Sequence, residues 1–183
     1  MLEQRLQEAL ADVARRFAAA GVDYYLGGSC MLRLYGYDVV VGDVDVVVPG
    51  DARPRVMQAL ANLEIDQPQS TEPWRTGWML RTGLETTEGS VDLDIMGDLA
   101  IEIDGEVARF PFAAHDRFNL GDMLIPLGDI AAWYHLSRVH NPARAALIAG
   151  RLSDEEIMAA ARRLSIDHLF SPTLIVRIGD GPR

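Results

Sequence analysis

Residues 43–48 read Asp-Val-Asp-Val-Val-Val, so that acids and valines alternate before an apolar end. Successive side chains of a β-strand point to opposite faces, and a strand therefore places Asp43 and Asp45 together on one face. The alternating valines point to the other face and into a core. The two carboxylates then lie about 7 Å apart along a rigid backbone. This pattern predicts a sheet with a buried face and an acidic face.

A second segment repeats the alternation, with Val91-Asp92-Leu93-Asp94-Ile95. If this strand lies near the first, it brings Asp92, or Asp94 in a different register, to the same cleft. Carboxylates are the ligands of hard cations such as Mg²⁺. Two such ions, held about 3.5–4 Å apart, clamp the attacking and leaving oxygens of an in-line displacement. The four acids are therefore the predicted metal ligands, with Mg²⁺ or Mn²⁺ as the cofactor.

A small-residue turn precedes the first acidic segment. Tyr24-Tyr25-Leu26 is typical of a short buried strand, and it continues into Gly27-Gly28-Ser29 and a mostly apolar stretch that predicts a helix. Such a turn offers backbone N–H groups and a hydroxyl to a phosphate. Arg33, about one turn into the helix, either adds a positive charge there or lies in solvent. Two further alternatives stay open: the turn is only a turn, and the acids only keep an edge strand soluble.

These motifs together resemble the nucleotidyltransferase superfamily, which has the polymerase-beta-like fold. Its pattern is a hydrophobic strand, Gly-Gly or Gly-Ser, a spacer, Asp-h-Asp-h (h, hydrophobic) and a later acid on another strand. Gly27-Gly28-Ser29, Asp43-Val44-Asp45-Val46 and Asp92 occupy those places. The similarity extends over roughly residues 1–60 and 88–135. It is strongest to a small bacterial group of stand-alone and toxin-like transferases.

The resemblance implies an enzyme that moves a nucleoside monophosphate from a nucleoside triphosphate, such as ATP, to a hydroxyl or amine of an acceptor. Asp43 and Asp45 would hold both metal ions, and Asp92 would complete the site and help to deprotonate the acceptor. Asp94 takes that place if the register differs. Gly27, Gly28, Ser29 and Arg33 would hold the triphosphate. An RNA end, a protein and a small molecule are all open as acceptors.

The chain departs from the family pattern at two places, and the departure in residues 134–145 motivates a second hypothesis. Tyr134 stands where related enzymes commonly have a lysine, and residues 140–144 lack the later aspartate. Val41-Gly42 also precedes Asp43 where a hydroxyl residue is common. The alternative is a catalytically weak binding or regulatory protein, for example one partner of a toxin–antitoxin pair.

Composition restricts the partners and the location. The 183 residues carry 27 acids and 17 bases, a net charge of −10, and every base is arginine. This charge argues against broad DNA binding, which depends on neutralising phosphates. No apolar run approaches the roughly 18 residues of a membrane span, so no membrane association is expected. A single cysteine, Cys30, excludes an internal disulfide, and the charged amphipathic start differs from a signal peptide. Both observations predict a cytoplasmic protein.

The order of the patterns predicts an α+β fold: a small mixed or antiparallel sheet with helices packed on it. We expect a catalytic core over residues 1–127 and a C-terminal helical segment over 128–183, together forming one compact unit. Asp104-Gly105 between alternating runs predicts a hairpin with a type I′ turn. Ser153 and Glu156 have the spacing of a capping box. The remaining expected elements are helices over 2–20, 52–63 and 129–139, strands over 39–48 and 123–127, and a frayed end over 172–183.

Overall fold

The computed structural model describes residues 2–169 and shows helices packed on a mixed sheet. The helices are α1 (Gln4–Ala20), α2 (Gly28–Leu34), α3 (Arg53–Ala59), α4 (Ile130–His140), α5 (Pro142–Ala149) and α6 (Asp154–Arg163). The strands are β1 (Tyr25–Leu26), β2 (Asp43–Val48), β3 (Trp78–Thr86), β4 (Gly89–Gly97), β5 (Ala100–Ile103), β6 (Glu106–Arg109), β7 (Asp116–Leu120) and β8 (Met123–Leu127). Short 3₁₀ turns cover Gly50–Ala52 and Asp167–Leu169. The expected end segment, 172–183, lies outside the described residues.

Six strands form one sheet in the order β3-β4-β2-β1-β8-β7, and β5 pairs with β6 as a separate hairpin. In the six-stranded sheet β2 runs parallel to β4 and antiparallel to β1, while β1 runs parallel to β8. The predicted α+β class and mixed sheet are confirmed. The two acidic strands are direct neighbours at the centre of this sheet.

The first helix follows the predicted amphipathic pattern. Leu6, Leu10, Val13 and Phe17 are all buried, as their spacing of three and four residues requires for one helix face. The helix ends where Gly21 adopts a φ of 63°, a left-handed conformation that glycine enters without strain. The predicted helix is thus confirmed, with α1 covering the sheet that carries the acids.

The Asp-Gly hairpin is confirmed as well. Asp104 and Gly105 have φ values of 50° and 85°, and a type I′ turn requires positive φ at both central residues. The turn joins β5 to β6, which pair in register from Ala100 opposite Arg109 to Ile103 opposite Glu106.

Four elements differ from expectation. The strand predicted over 39–48 begins only at Asp43, because pairing with β4 starts there, and Val40 is 92% exposed in the loop before it. The helix predicted over 52–63 is α3, which ends at Ala59. Neither β7 nor α5 was predicted. β7 is an edge strand whose side chains are exposed or half-buried, so it lacks the apolar alternation that marks a strand with one buried face.

The C-terminal helices begin with side-chain caps. The Asp129 carboxylate accepts a 2.9 Å hydrogen bond from the Ala131 N–H at the start of α4. At the start of α6, Ser153 and Glu156 form the predicted capping box, which is confirmed. Among the described residues, no helix combines the length and the apolar character needed to cross a membrane.

Candidate active site

Three carboxylates meet on one face of the central sheet. Asp43 and Asp45 on β2 and Asp94 on β4 each place an oxygen within 4.8 Å of the others. The parallel register sets Asp45 opposite Asp94 and Asp43 opposite Asp92, so all four acids point to the same face. We call Asp43, Asp45 and Asp94 the acidic cluster.

The glycine turn after β1 packs directly against this cluster. Gly28 has a φ of 56°, and a Cβ added to it would overlap the Asp45 side-chain oxygen Oδ2. The Gly27 N–H donates a 2.9 Å hydrogen bond to the Asp45 carbonyl oxygen. Only glycine at position 28 lets the first turn of α2 approach the carboxylate this closely.

Gly27 has a separate steric role. A Cβ there would overlap the indole ring of Trp133, which is only 3% exposed on α4. The turn is therefore held between the acidic strand on one side and α4 on the other. Ser29, the last residue of the sequence motif, is itself 3% exposed.

The electrostatics of Asp45 are unfavourable for a protein without bound ions. Burial, together with the neighbouring charges of Asp43 and Asp94, raises the pKa of Asp45 to about 7. Within residues 2–169, no group donates a hydrogen bond to the Asp43 or Asp45 carboxylate. The two carboxylates thus face each other with no donor between them, which favours binding of a cation.

Asp94 differs because it has a cationic partner inside the sheet. Arg81 lies opposite Asp94 in the antiparallel β3–β4 pair. Its Nε and Nη2 atoms donate to Asp94 Oδ1 and Oδ2, each at 2.6 Å. Asp94 is 8% exposed, so this carboxylate is both buried and paired.

Asp92, the third acid of the sequence motif, lies one pair further along the same face and is exposed. Gly83 stands opposite Asp92 on β3 and brings no side chain to it. Asp92 is not one of the three acids whose oxygens come within 4.8 Å of one another, whereas Asp94 is. Its charge does act on Arg81, whose pKa is raised chiefly by Asp94 and further by Asp92 and Asp43.

Two other arginines have different surroundings. Arg33 forms a 3.1 Å ion pair with Asp38 and lines a groove with the N-terminal end of α1. Arg144, in the first turn of α5, lowers the pKa of Asp45 more strongly than Arg81 does. Among the described residues, no carboxylate forms an ion pair with Arg144. Arg144 is therefore a half-buried cation whose field reaches the acidic cluster.

The protein also has a surface groove that lies outside the acidic cluster. An open, mostly apolar groove of about 610 Å³ lies between α1 and the β7–β8 pair, lined by residues such as Ala18, Tyr24, Phe112 and Leu124. It contains none of the four acids. We assign the candidate site by its charges and by the glycine turn, because the groove, although Arg15, Asp23 and Arg117 line it, holds none of the acids that converge among the described residues.

Sequence reasoning missed Arg81 and Arg144. A signal for Arg81 was present: β3 and β4 are joined at Thr87-Glu88, and a tight hairpin there sets Arg81 opposite Asp94. Arg144 carried no such signal, because its position depends on how α5 folds back along α4.

Comparison with known proteins identifies the fold. The sequence matches no protein-family model, and no curated protein matches it. Similar solved structures include a nucleotidyltransferase-like protein of Thermotoga maritima, with a TM-score of 0.59, 17% identity, and coverage of 79% of this chain and 92% of that chain. Another is ANT(2″)-Ia in complex with adenylyl-2″-tobramycin, with a TM-score of 0.56, 13% identity, and coverage of 89% of this chain and 98% of that chain. A solution structure of ANT(2″)-Ia, described as an antibiotic-resistance factor, aligns with a TM-score of 0.55 at 13% identity over 92% of this chain and 98% of that chain.

The chain has the nucleotidyltransferase fold.

Within this nucleotidyltransferase fold, the glycine turn and the paired acidic strands lie together at one site, as the sequence pattern predicted for the fold. Identities of 13–17% establish the fold and leave the chemistry to be argued from the residues of this chain.

Proposed function

We propose that the protein is a Mg²⁺-dependent nucleotidyltransferase. The observation that carries the proposal is the convergence of Asp43, Asp45 and Asp94 within 4.8 Å, directly beside the Gly28 backbone. This arrangement requires an acidic pair on β2, an acid from a second strand and a glycine turn packed against them. If the acids only kept an edge strand soluble, neither the second strand nor the glycine turn would be required. The fold of the structural neighbours agrees with the proposal.

The donor set of this chain fits a divalent cation. Carboxylate oxygens are the preferred ligands of Mg²⁺ and Mn²⁺. Asp43 and Asp45 have no internal hydrogen-bond donor within residues 2–169, and mutual repulsion contributes to the raised pKa of Asp45. A bound cation would remove that repulsion. We assign Asp43, Asp45 and Asp94 as the ligands and keep Asp92 as a candidate fourth acid.

The reaction forms a bond between an acceptor oxygen or nitrogen and the α-phosphorus of a nucleoside triphosphate. The bond from that phosphorus to the bridging oxygen breaks, and pyrophosphate leaves with the electron pair. When bound, the divalent ions supply charge stabilisation to the attacking and leaving oxygens. The acceptor proton passes to a carboxylate of the site. Asp92 is the better proton acceptor because Asp94 has both oxygens bound by Arg81.

The triphosphate needs positive charge and backbone donors near the acids. Gly27, Gly28 and Ser29 form a turn against Asp45. The Gly27 N–H donates to the Asp45 carbonyl oxygen, so the backbone donors left for a phosphate are those of the first turn of α2, from Gly28 onward. Tyr134 stands where the family pattern has a lysine, and Arg144 is a cation whose field reaches Asp45. We therefore add Arg144 to the sequence-predicted Arg33 as a candidate phosphate ligand.

For the acceptor, the net charge of −10 favours a small cationic molecule over RNA. The tobramycin complex of ANT(2″)-Ia shows an acceptor of antibiotic type on this fold. Both points support a small-molecule acceptor for this chain.

The decisive experiment is transfer of label from each α-³²P nucleoside triphosphate to three acceptor pools: aminoglycosides, total cellular RNA and total protein. We expect labelled aminoglycoside with Mg²⁺ or Mn²⁺ and none with a chelator. Asp45→Asn removes a charge from the cluster, and Asp104→Asn removes the same charge from an exposed turn as a control. Equal transfer by both variants would refute the mechanism, and nucleotide binding without transfer would instead support the regulatory alternative.

Two matched substitutions test separately whether Arg144 and Arg33 bind the triphosphate. We expect Arg144→Gln to raise the KM for the triphosphate about 10-fold, as loss of a charge-assisted hydrogen bond typically does. Arg33→Gln, measured in parallel, tests the phosphate role predicted from sequence. An unchanged KM in Arg144→Gln would remove Arg144 from the site.

A further inference from the structure

The Arg81–Asp94 pair has a geometry that an ordinary surface ion pair lacks. Both contacts are 2.6 Å, and they use two donors of one guanidinium for the two oxygens of one carboxylate. The Arg81 side chain is 52% exposed and that of Asp94 is 12% exposed, so the arginine reaches inward from the rim of the site. Cross-strand register holds the two residues opposite each other.

This fork limits how Asp94 can bind a cation. A guanidinium that donates to both oxygens occupies one lone-pair direction on each, which leaves no open edge for two-oxygen chelation. One Asp94 oxygen still lies within 4.8 Å of oxygens of Asp43 and Asp45. Asp94 can therefore contribute one oxygen to an ion that those two acids also bind.

We propose that Arg81 is a positioning residue that fixes Asp94 as a single-oxygen ligand of a divalent cation in the acidic cluster. The inference rests on the proposed function and deepens it, because it assigns the geometry of the metal site to a residue outside the ligand set. Groups that orient metal ligands commonly change metal affinity 10- to 100-fold when they are replaced.

Charge alone does not account for this arrangement. Arg144 also acts electrostatically on Asp45 and does so without an ion pair in the described part of the chain. A lysine at position 81 would keep the positive charge but would present a single ammonium in place of the planar fork. Orientation and charge can therefore be separated by one substitution.

The test is Arg81→Lys, with Mn²⁺ binding to the purified full chain followed by the electron paramagnetic resonance signal of free Mn²⁺. We expect the affinity to fall about 10-fold, because the charge is kept and the fork is lost. Arg75→Lys is the matched control, since Arg75 pairs with Glu102 at 2.6 Å and no member of the acidic cluster is its partner. The control should bind Mn²⁺ as the wild type does. Equal or tighter binding by Arg81→Lys would overturn the inference.

A double-mutant cycle tests whether Arg81 acts through Asp94. In an Asp94→Asn background, Arg81→Lys should change Mn²⁺ affinity less than about 2-fold, because the oriented carboxylate is gone. A second 10-fold loss in that background would show that Arg81 acts independently and would overturn the proposal.

The outcomes also separate this inference from the proposed function. A wild-type chain that binds no Mn²⁺ and transfers no nucleotide refutes the proposed function itself. A wild-type chain that does both, with an Arg81→Lys variant that matches it, refutes only the role of Arg81. Circular dichroism of each variant confirms that the fold is intact.

Discussion

The acidic cluster and the contact between α4 and α6 both bury ionisable groups, with opposite results. His135 on α4 is fully buried, and its Nε2–H donates a 2.9 Å hydrogen bond to the Ile157 carbonyl of α6. Burial lowers the pKa of His135 to about 4, so the ring is neutral at pH 7. Asp45 is instead packed beside two other acids and has a pKa raised to about 7.

The two sites show how an ionisable group buried by core packing differs from one buried in a functional site. At the helix contact the buried ring is neutral and donates a hydrogen bond to a backbone carbonyl. In the acidic cluster, like charges are held together without donors on Asp43 or Asp45. Repulsion of this kind persists only where the rest of the fold stabilises it, and it is typical of sites that bind an ion or substrate.

The largest expected effect is that of Asp45→Asn. The variant removes one charge and keeps the shape, so we expect nucleotide transfer to fall at least about 1,000-fold because transition-state charge is no longer balanced. The metal-free variant should also be more stable than the wild type, by about 2 kcal/mol at pH 8, since the cost of burying a charge beside two other acids is relieved. Transfer assays and urea unfolding measure the two effects. A variant that is less stable and fully active would contradict the comparison.

The free energy that the α4–α6 contact contributes to stability should depend on pH in the acid range. The folded-state pKa of His135 is lowered to about 4 from a usual value of 6.5. The native state therefore binds the His135 proton less readily than the unfolded state does, and the contribution of His135 to stability is lost as the pH falls from about 6.5 to 4. Asp45, whose pKa is raised to about 7, contributes in the opposite sense over this range, so the His135 contribution is measured as a difference between variants. The loss approaches about 3 kcal/mol at the lower limit, at roughly 1.4 kcal/mol per pKa unit.

Unfolding by urea between pH 4 and 7 measures this dependence. Relative to the wild type, His135→Phe should lose the His135 contribution, whereas His115→Gln, which changes an exposed histidine, should keep it. An unchanged pH profile in His135→Phe would show that other groups dominate.

The close approach of the glycine turn can be tested with a pair of alanines. Gly28→Ala places a methyl group against Asp45, and we expect about 30-fold loss of activity because the carboxylate or the turn must move. Gly21→Ala is matched in backbone strain, with a φ of 63° but no atom within 4 Å of the added Cβ. It should lose stability by about 1 kcal/mol and retain activity. Equal activities in the two variants would contradict the assigned contact.

The smallest effect concerns metal removal at two pH values. Because the pKa of Asp45 is raised to about 7, protons compete with Mg²⁺ below that pH and leave the site open above it. Mg²⁺ at about 10 times its dissociation constant at pH 8 should stabilise the protein by about 1.4 kcal/mol there and by much less at pH 5. Thermal unfolding with Mg²⁺ or with chelator measures the difference. A larger effect at pH 5 would argue that Asp45 is not a ligand.

Local patterns predicted most of the secondary structure and part of the site. The period-2 alternation of Asp43–Val48 and the Asp104-Gly105 turn are decided within a few residues, and both are confirmed as structure. The glycine motif predicted the contact region beside β2. Arg81 could have been found only by following the hairpin register, and Arg144 depended on the return of α5, which has no local signal.

The sequence by itself determined that acids and apolar residues alternate on two strands, because the direction of a side chain in a strand follows from backbone geometry alone. Only the tertiary structure decided that Asp94 joins Asp43 and Asp45, that Asp92 stays exposed, and that Arg81 binds Asp94. Those outcomes depend on which strands pair and in what register, and register is set by hairpin closure and core packing across the whole sheet.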